Sequence, residues 1–118
     1  MRVYLLDVSE SELEYLSAML QRAAQVEIIG TSSNPIEAME EIGYLKPDVL
    51  FMELHLPELH GIAFAEQITR SLPHLHVVIV TEDRHYALWA FDHQMTDYVL
   101  KPFNEERLRR VVRRIRAM

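Results

Sequence analysis

Short apolar runs alternate five times with stretches whose apolar residues recur every three or four positions. This alternation is the strongest constraint on the fold. The apolar runs are Val3–Leu6, Val26–Gly30, Val49–Met52, Leu75–Val80 and Tyr98–Leu100, each of strand length. Between them lie helix-period segments. Glu10–Ala23 places Leu13, Leu16, Leu20 and Ala23 on one face, and Pro35–Leu45 turns Ile36, Met39 and Ile42 inward. Gly61–Ser71 does the same with Ile62, Ala65 and Ile68, followed by a short helix over Arg84–His93 and a last one over Asn104–Ala117. Asn34-Pro35 has the form of an N-cap followed by a first helical residue, and Asn104 is a second N-cap. Strands alternating with helices predict a parallel sheet covered on both faces. The expected architecture is α/β, five strands and five helices, (βα)5, doubly wound, with residues 1–118 forming one domain.

Composition removes several function classes. There is no cysteine, hence no disulfide, thiolate metal site or cysteine nucleophile. Apolar runs such as Ala87–Phe91 are far too short to span a membrane. Three glycines cannot build a Gly-rich phosphate loop. The net charge of −6 speaks against direct nucleic-acid binding by this domain. The charge is unevenly spread: residues 1–100 hold 16 acids and 5 bases, residues 101–118 hold 2 acids and 7 bases.

In parallel α/β sheets the site lies beyond the carboxyl ends of the strands. Asp7 follows the first strand, Glu53 the third, Thr81 the fourth and Lys101 the fifth. Two acids, a hydroxyl and an amine are therefore expected at one rim.

Several stretches carry a family likeness: Pro47-Asp48-Val49-Leu50-Phe51-Met52, Leu56-Pro57 with Gly61, Val78-Ile79-Val80-Thr81, and above all Asp97-Tyr98-Val99-Leu100-Lys101-Pro102-Phe103. Over nearly its whole length the chain resembles the CheY-like receiver domain of two-component response regulators, a flavodoxin-like fold. Ala90-Phe91 before the last of these stretches is similar to receivers that precede LytTR-type DNA-binding domains. The resemblance implies phosphoryl transfer to an acidic residue at position 53, with Asp7 and Glu53 left to hold magnesium. It assigns Thr81 and Lys101 to the phosphoryl oxygens and makes Tyr98 a switch aromatic that turns inward. It also implies a cis Lys101-Pro102 bond, a sensor histidine kinase as partner, a downstream effector domain in a longer regulator, a cytoplasmic location and no enzymatic role, so no catalytic residue is assigned.

Three positions depart from the family pattern. Glu53 stands where the acceptor is aspartate, Val8 where a second metal-binding acid belongs, and Glu82 where the residue after the threonine is small. Glu53 displaces its carboxylate by about 1.5 Å, one carbon–carbon bond, an error large enough to spoil attack geometry. Magnesium keeps strict octahedral geometry, so loss of a carboxylate leaves at most weak binding through Asp7, Glu53 and a carbonyl such as that of His55. Glu82 adds a charge that repels a phosphoryl donor. The expected function is a pseudo-receiver that controls an output such as transcription through dimerisation. In one version Glu53 mimics a phosphorylated aspartate; in another it is a plain salt bridge to Lys101. A conventional receiver phosphorylated at Glu53 and a flavodoxin-like ligand-binding protein are the alternatives. The acidic, glycine-free segment 7–12 repels phosphate and counts against the last.

Two further features point to partners. With Ala87, Ala90 and Phe91 read as the core side of the fourth helix, Trp89 faces outward as a contact residue. The last helix buries Leu108, Val111, Val112 and Ile115 and presents arginines, among them Arg110 and Arg113. The resemblance implies a dimer surface of the fourth helix, fifth strand and fifth helix, across which these arginines would meet Asp92 and Asp97 of a two-fold mate. The six histidines lack tetrahedral ligand spacing and read as surface residues.

Overall fold

The computed structural model describes residues 1–57 and 60–118. Five parallel strands, β1 (Arg2–Leu6), β2 (Glu27–Ser32), β3 (Val49–Met52), β4 (His76–Thr81) and β5 (Asp97–Leu100), form one sheet in the order β2-β1-β3-β4-β5. The helices are α1 (Glu10–Ala23), α2 (Pro35–Leu45), α3 (Gly61–Ser71), α4 (Ala87–Asp92) and α5 (Glu105–Arg116). The expected α/β architecture is observed.

Strand side chains alternate between two cores, as a pleated strand dictates. Val3, Leu5, Phe51, Val78, Val80 and Val99 pack against α1 and α5. Tyr4, Leu6, Leu50, Met52, Val77 and Ile79 pack on the other face, with residues of α2, α3 and α4. Strand order reverses between β1 and β3, so the crevice that such a reversal opens lies beyond Leu6 and Met52. Asp7 and Glu53 are the next residues on each side.

Local signals set most boundaries. Asn34 Oδ1 accepts from the Ile36 and Glu37 amides, with Pro35 in the first turn. Asn104 Oδ1 accepts from Arg107 N–H at 2.9 Å. Ser9 caps α1 and His60 Nδ1 caps α3. β2 begins one residue later than Val26 and continues to Ser32, with a register irregularity opposite Val3 and Tyr4. There Gly30 leaves room for the buried Tyr4 ring, since a Cβ would lie 2.6 Å from it.

Three inward-face expectations change. Ile36 is 62% exposed, while Pro35, Ala38 and Ile42 form the buried face of α2. In α3 the fully buried Phe64 takes the central place, and Ile62 is only partly buried. α4 is just six residues long and keeps only part of its expected phase: Ala90 is buried as expected, but Ala87 is exposed and Phe91 is 80% exposed, whereas Trp89 packs on the core together with Tyr86 and Met95.

Candidate functional site

The rim beyond the sheet brings together Asp7, Glu53, Thr81 and Lys101, the four residues expected there. Lys101 extends from the end of β5, its backbone N–H tied to Thr81 O at 2.9 Å. Its ammonium is nearly buried and donates to Asp7 Oδ2 at 2.7 Å and to Glu53 Oε1 at 3.1 Å. Glu12 Oε2, in the first turn of α1, lies 3.6 Å away as a third acid. The Lys101-Pro102 bond is cis.

Glu53 is 8% exposed, and its carboxylate is fully engaged. Oε1 faces Lys101, while Oε2 accepts from Leu54 N–H at 2.7 Å and His55 N–H at 3.2 Å. Burial pushes its carboxyl up. The Thr81 hydroxyl, the Lys101 ammonium and the His55 amide outweigh that and hold it below the usual carboxylate range. Lys101 balances the same way: burial lowers its pKa, but Asp7 and Glu53 raise it above the ordinary lysine value. Asp7 Oδ1 accepts from Ser9 N–H at 3.1 Å. Among the described residues no buried side-chain polar atom lacks a hydrogen-bond partner.

These donors do not fit magnesium. A dication of that size wants six oxygens in near-ideal octahedral array. The space between Asp7 and Glu53 is taken by an ammonium, and Val8, 45% exposed, supplies no carboxylate. Among the described residues no three His, Asp or Glu side chains are placed to hold a metal ion. Glu82 is exposed and lines, with Glu12, Tyr15, Lys101, Pro102 and Phe103, a cleft of about 150 Å³ at the mouth of the site. The approach to Lys101 is therefore acidic.

Tyr98 leaves β5 half-buried against the α3–α4 side of the sheet, and its hydroxyl donates to the Asp83 carbonyl. Burial raises its phenol pKa. Asp83 and Glu12 are site residues that the sequence reading missed. Glu12 had a local signal, the Ser9-x-x-Glu12 spacing that puts it in the first turn of a helix. Asp83 had none, because its partners come from other loops.

The partner-surface residues separate. Trp89 does not face outward: it is half-buried, packs on the core and stacks on His93 at 5.1 Å. A helix of under two turns takes its phase from the sheet beneath it, and here Ala90 is the buried anchor. Asp97 is committed within its own chain, accepting from both terminal nitrogens of Arg107 at 2.9 and 3.3 Å, with Arg114 at 3.8 Å. Those guanidinium contacts overcome burial and lower its pKa. Arg110 and Arg113 are exposed on α5 and form no ion pair among the described residues. No helix among the described residues is long and apolar enough to cross a membrane.

Comparison with known proteins agrees with this geometry. The chain is 38% identical over 112 residues to an uncharacterized response regulatory protein of Vibrio cholerae serotype O1, covering 94% of this chain and 46% of that protein. It is 36% identical to the sensory transduction protein LytT of Enterococcus faecalis, over 95% of this chain and 46% of that one. The chain thus spans about half the length of the curated relatives it matches. Among solved structures, the response regulatory domain of MrkE from Klebsiella pneumoniae superposes with a TM-score of 0.91 at 24% identity, covering 99% of this chain and 96% of that one. Residues 3–113 match the family described as the response regulator receiver domain, and the chain belongs to that family.

Proposed function

We propose that this receiver is a pseudo-receiver, a non-enzymatic signalling module in which Glu53 and Lys101 stand in for the phosphorylated state. The observation that carries the reading is the saturation of the Glu53 carboxylate by an ammonium and two backbone amides. These are the kinds of donors that neutralise a phosphoryl group in phosphoryl transfer. A carboxylate held this way is a poor nucleophile, and the acidic mouth at Glu82 repels an anionic donor. Tyr98, packed against the core and hydrogen-bonded to Asp83, supports a switch held in its inward position.

The output is control of a downstream effector, such as a transcription module, through a homodimer across α4, β5 and α5. The exposed Leu88 and Phe91, and the exposed Arg110 and Arg113, which form no ion pair among the described residues, support that surface. Asp97 then orders the surface from within, through Arg107, while Asp92 on α4 stays exposed for a mate's arginine. Relatives named for transduction and transcription, LytT of Enterococcus faecalis and the regulator BtsR of Escherichia coli, favour a regulatory output. A sensor histidine kinase remains a partner for docking. Nucleic acid is left to the effector.

The test is incubation with acetyl phosphate and magnesium followed by intact-mass measurement. An unchanged mass is expected. A stoichiometric phosphoryl adduct on Glu53 would instead make this a conventional receiver.

A further inference from the structure

The loops after β3 and β4 are joined by a side-chain bridge that the phosphoryl site does not use. His55 Nε2 lies 2.9 Å from Asp83 Oδ2, across 28 residues of chain. The other carboxylate oxygen of Asp83 accepts from His85 N–H at 2.8 Å and faces His85 Nδ1 at 2.7 Å. The backbone of Asp83 is engaged as well. Its N–H donates to Thr81 Oγ1 at 3.3 Å, and its carbonyl accepts from the Tyr98 hydroxyl. Asp83 therefore touches the residue two places beyond Glu53, the phosphoryl-site threonine and the switch aromatic at once.

The surroundings limit how the bridge can move. The His60 ring meets the His55 ring edge-on at 5.9 Å, and Tyr86 lies against His60 at 5.6 Å. The Asp83 side chain is four-fifths covered. Hydrogen bonds from His85 and His55 hold its carboxyl below the usual aspartate range. Glu82 and Arg84 flank it, both exposed. A tyrosine held by a loop carbonyl is only as fixed as the loop, and α4, the element that follows, is a single short helix. The His85 contact is local to the loop and cannot anchor it. The His55 contact can, because His55 is tied through its own N–H to Glu53 at the end of β3.

We propose that His55 and Asp83 are positioning residues for Tyr98. Their bridge between the two loops keeps the Asp83 carbonyl within reach of the Tyr98 hydroxyl and so holds the ring inward without a phosphoryl group. This role rests on Tyr98 being the switch of the proposed pseudo-receiver.

The test uses the full chain and four variants at His55 and His85, followed by NMR of labelled tyrosine rings and amide hydrogen exchange over residues 83–87. Tyr98→Phe assigns the ring signal among the five tyrosines. His55→Ala is expected to shift the Tyr98 ring signals and speed exchange over 83–87 by roughly tenfold, the scale of one lost charge-assisted hydrogen bond. His55→Gln, whose amide nitrogen can replace Nε2, restores both, and His85→Ala moves neither by more than about twofold. His55→Asn, too short to span the gap, repeats the alanine result should that variant fold poorly. Unchanged Tyr98 signals and exchange in folded His55→Ala and His55→Asn would overturn the positioning role and leave the switch reading standing. A released Tyr98 with unaltered self-association would keep the positioning role and overturn Tyr98 as the switch.

Discussion

The Lys101 ammonium and the Glu53 carboxylate meet at 3.1 Å with about a tenth of each side chain exposed. Asp7, 2.7 Å from the same ammonium, makes the group a triad with one more acid than base. Removing the single cation strands two nearly buried carboxylates, a loss of about 3–5 kcal/mol for a broken buried pair. Lys101→Met is therefore expected to lower stability strongly at neutral pH. The pH dependence gives the sign. In the parent, Glu53 is depressed, so its contribution is present above the unfolded value of about 4.3 and lost as pH falls through the lower folded value. Lys101 is raised, so its contribution is present below about 10.4 and lost as pH rises through the higher folded value. Urea unfolding across pH should show a plateau between those limits. In Lys101→Met the plateau should become a slope, with stability rising as acid neutralises the two carboxylates.

Val8 and Glu53 together account for the poor fit to magnesium. Val8→Asp with Glu53→Asp supplies the second carboxylate and draws the acceptor back by about 1.5 Å. Shortening that side chain also loosens its hold on Lys101. The double variant is expected to gain a saturable magnesium response, read from the single tryptophan, Trp89, and slow labelling by acetyl phosphate. The parent should show neither at millimolar magnesium. A parent that already responds would place the metal in the site despite the ammonium.

Gly61 sets the loop that carries His55. A Cβ there would lie 2.5 Å from the Cα and O of Leu54, and the Gly61 N–H donates to that oxygen at 2.8 Å. Backbone cannot step aside as a side-chain end can. Gly61→Ala should cost about 1–3 kcal/mol, the usual penalty of overpacking. Thermal melts would measure it. An unchanged melting temperature would mean that α3 shifts freely at its first residue.

Much of this site was legible because it depends on local order. Asp7, Glu53, Thr81 and Lys101 each stand where an apolar strand ends, and a parallel sheet gathers such ends at one rim. Asn34 and Asn104 were readable as caps because capping is settled within three residues. The His55–Asp83 bridge was not legible, since it depends on how two loops 28 residues apart lie over the sheet. Nor was the outward side of α4: six residues give too few turns for periodicity to fix a phase, and tertiary packing set it instead.

That packing of α4 separates two of its aromatic residues and gives the sharpest test of the proposed dimer surface. Trp89 packs on the core, so Trp89→Ala should destabilise the fold by about 2–3 kcal/mol, somewhat less than for a fully buried tryptophan. Phe91 is 80% exposed, so Phe91→Ala should change stability by no more than about 0.5 kcal/mol. Self-association should rank them the other way. Phe91→Glu with Leu88→Glu puts charge into the apolar face and is expected to shift the protein to monomer by light scattering, with its melting temperature nearly kept. Arg110→Glu with Arg113→Glu should weaken association in a salt-dependent way, as charges on an exposed rim do. If the charged α4 variant associates as well as the parent, α4 lies outside the interface and the dimer must use another face.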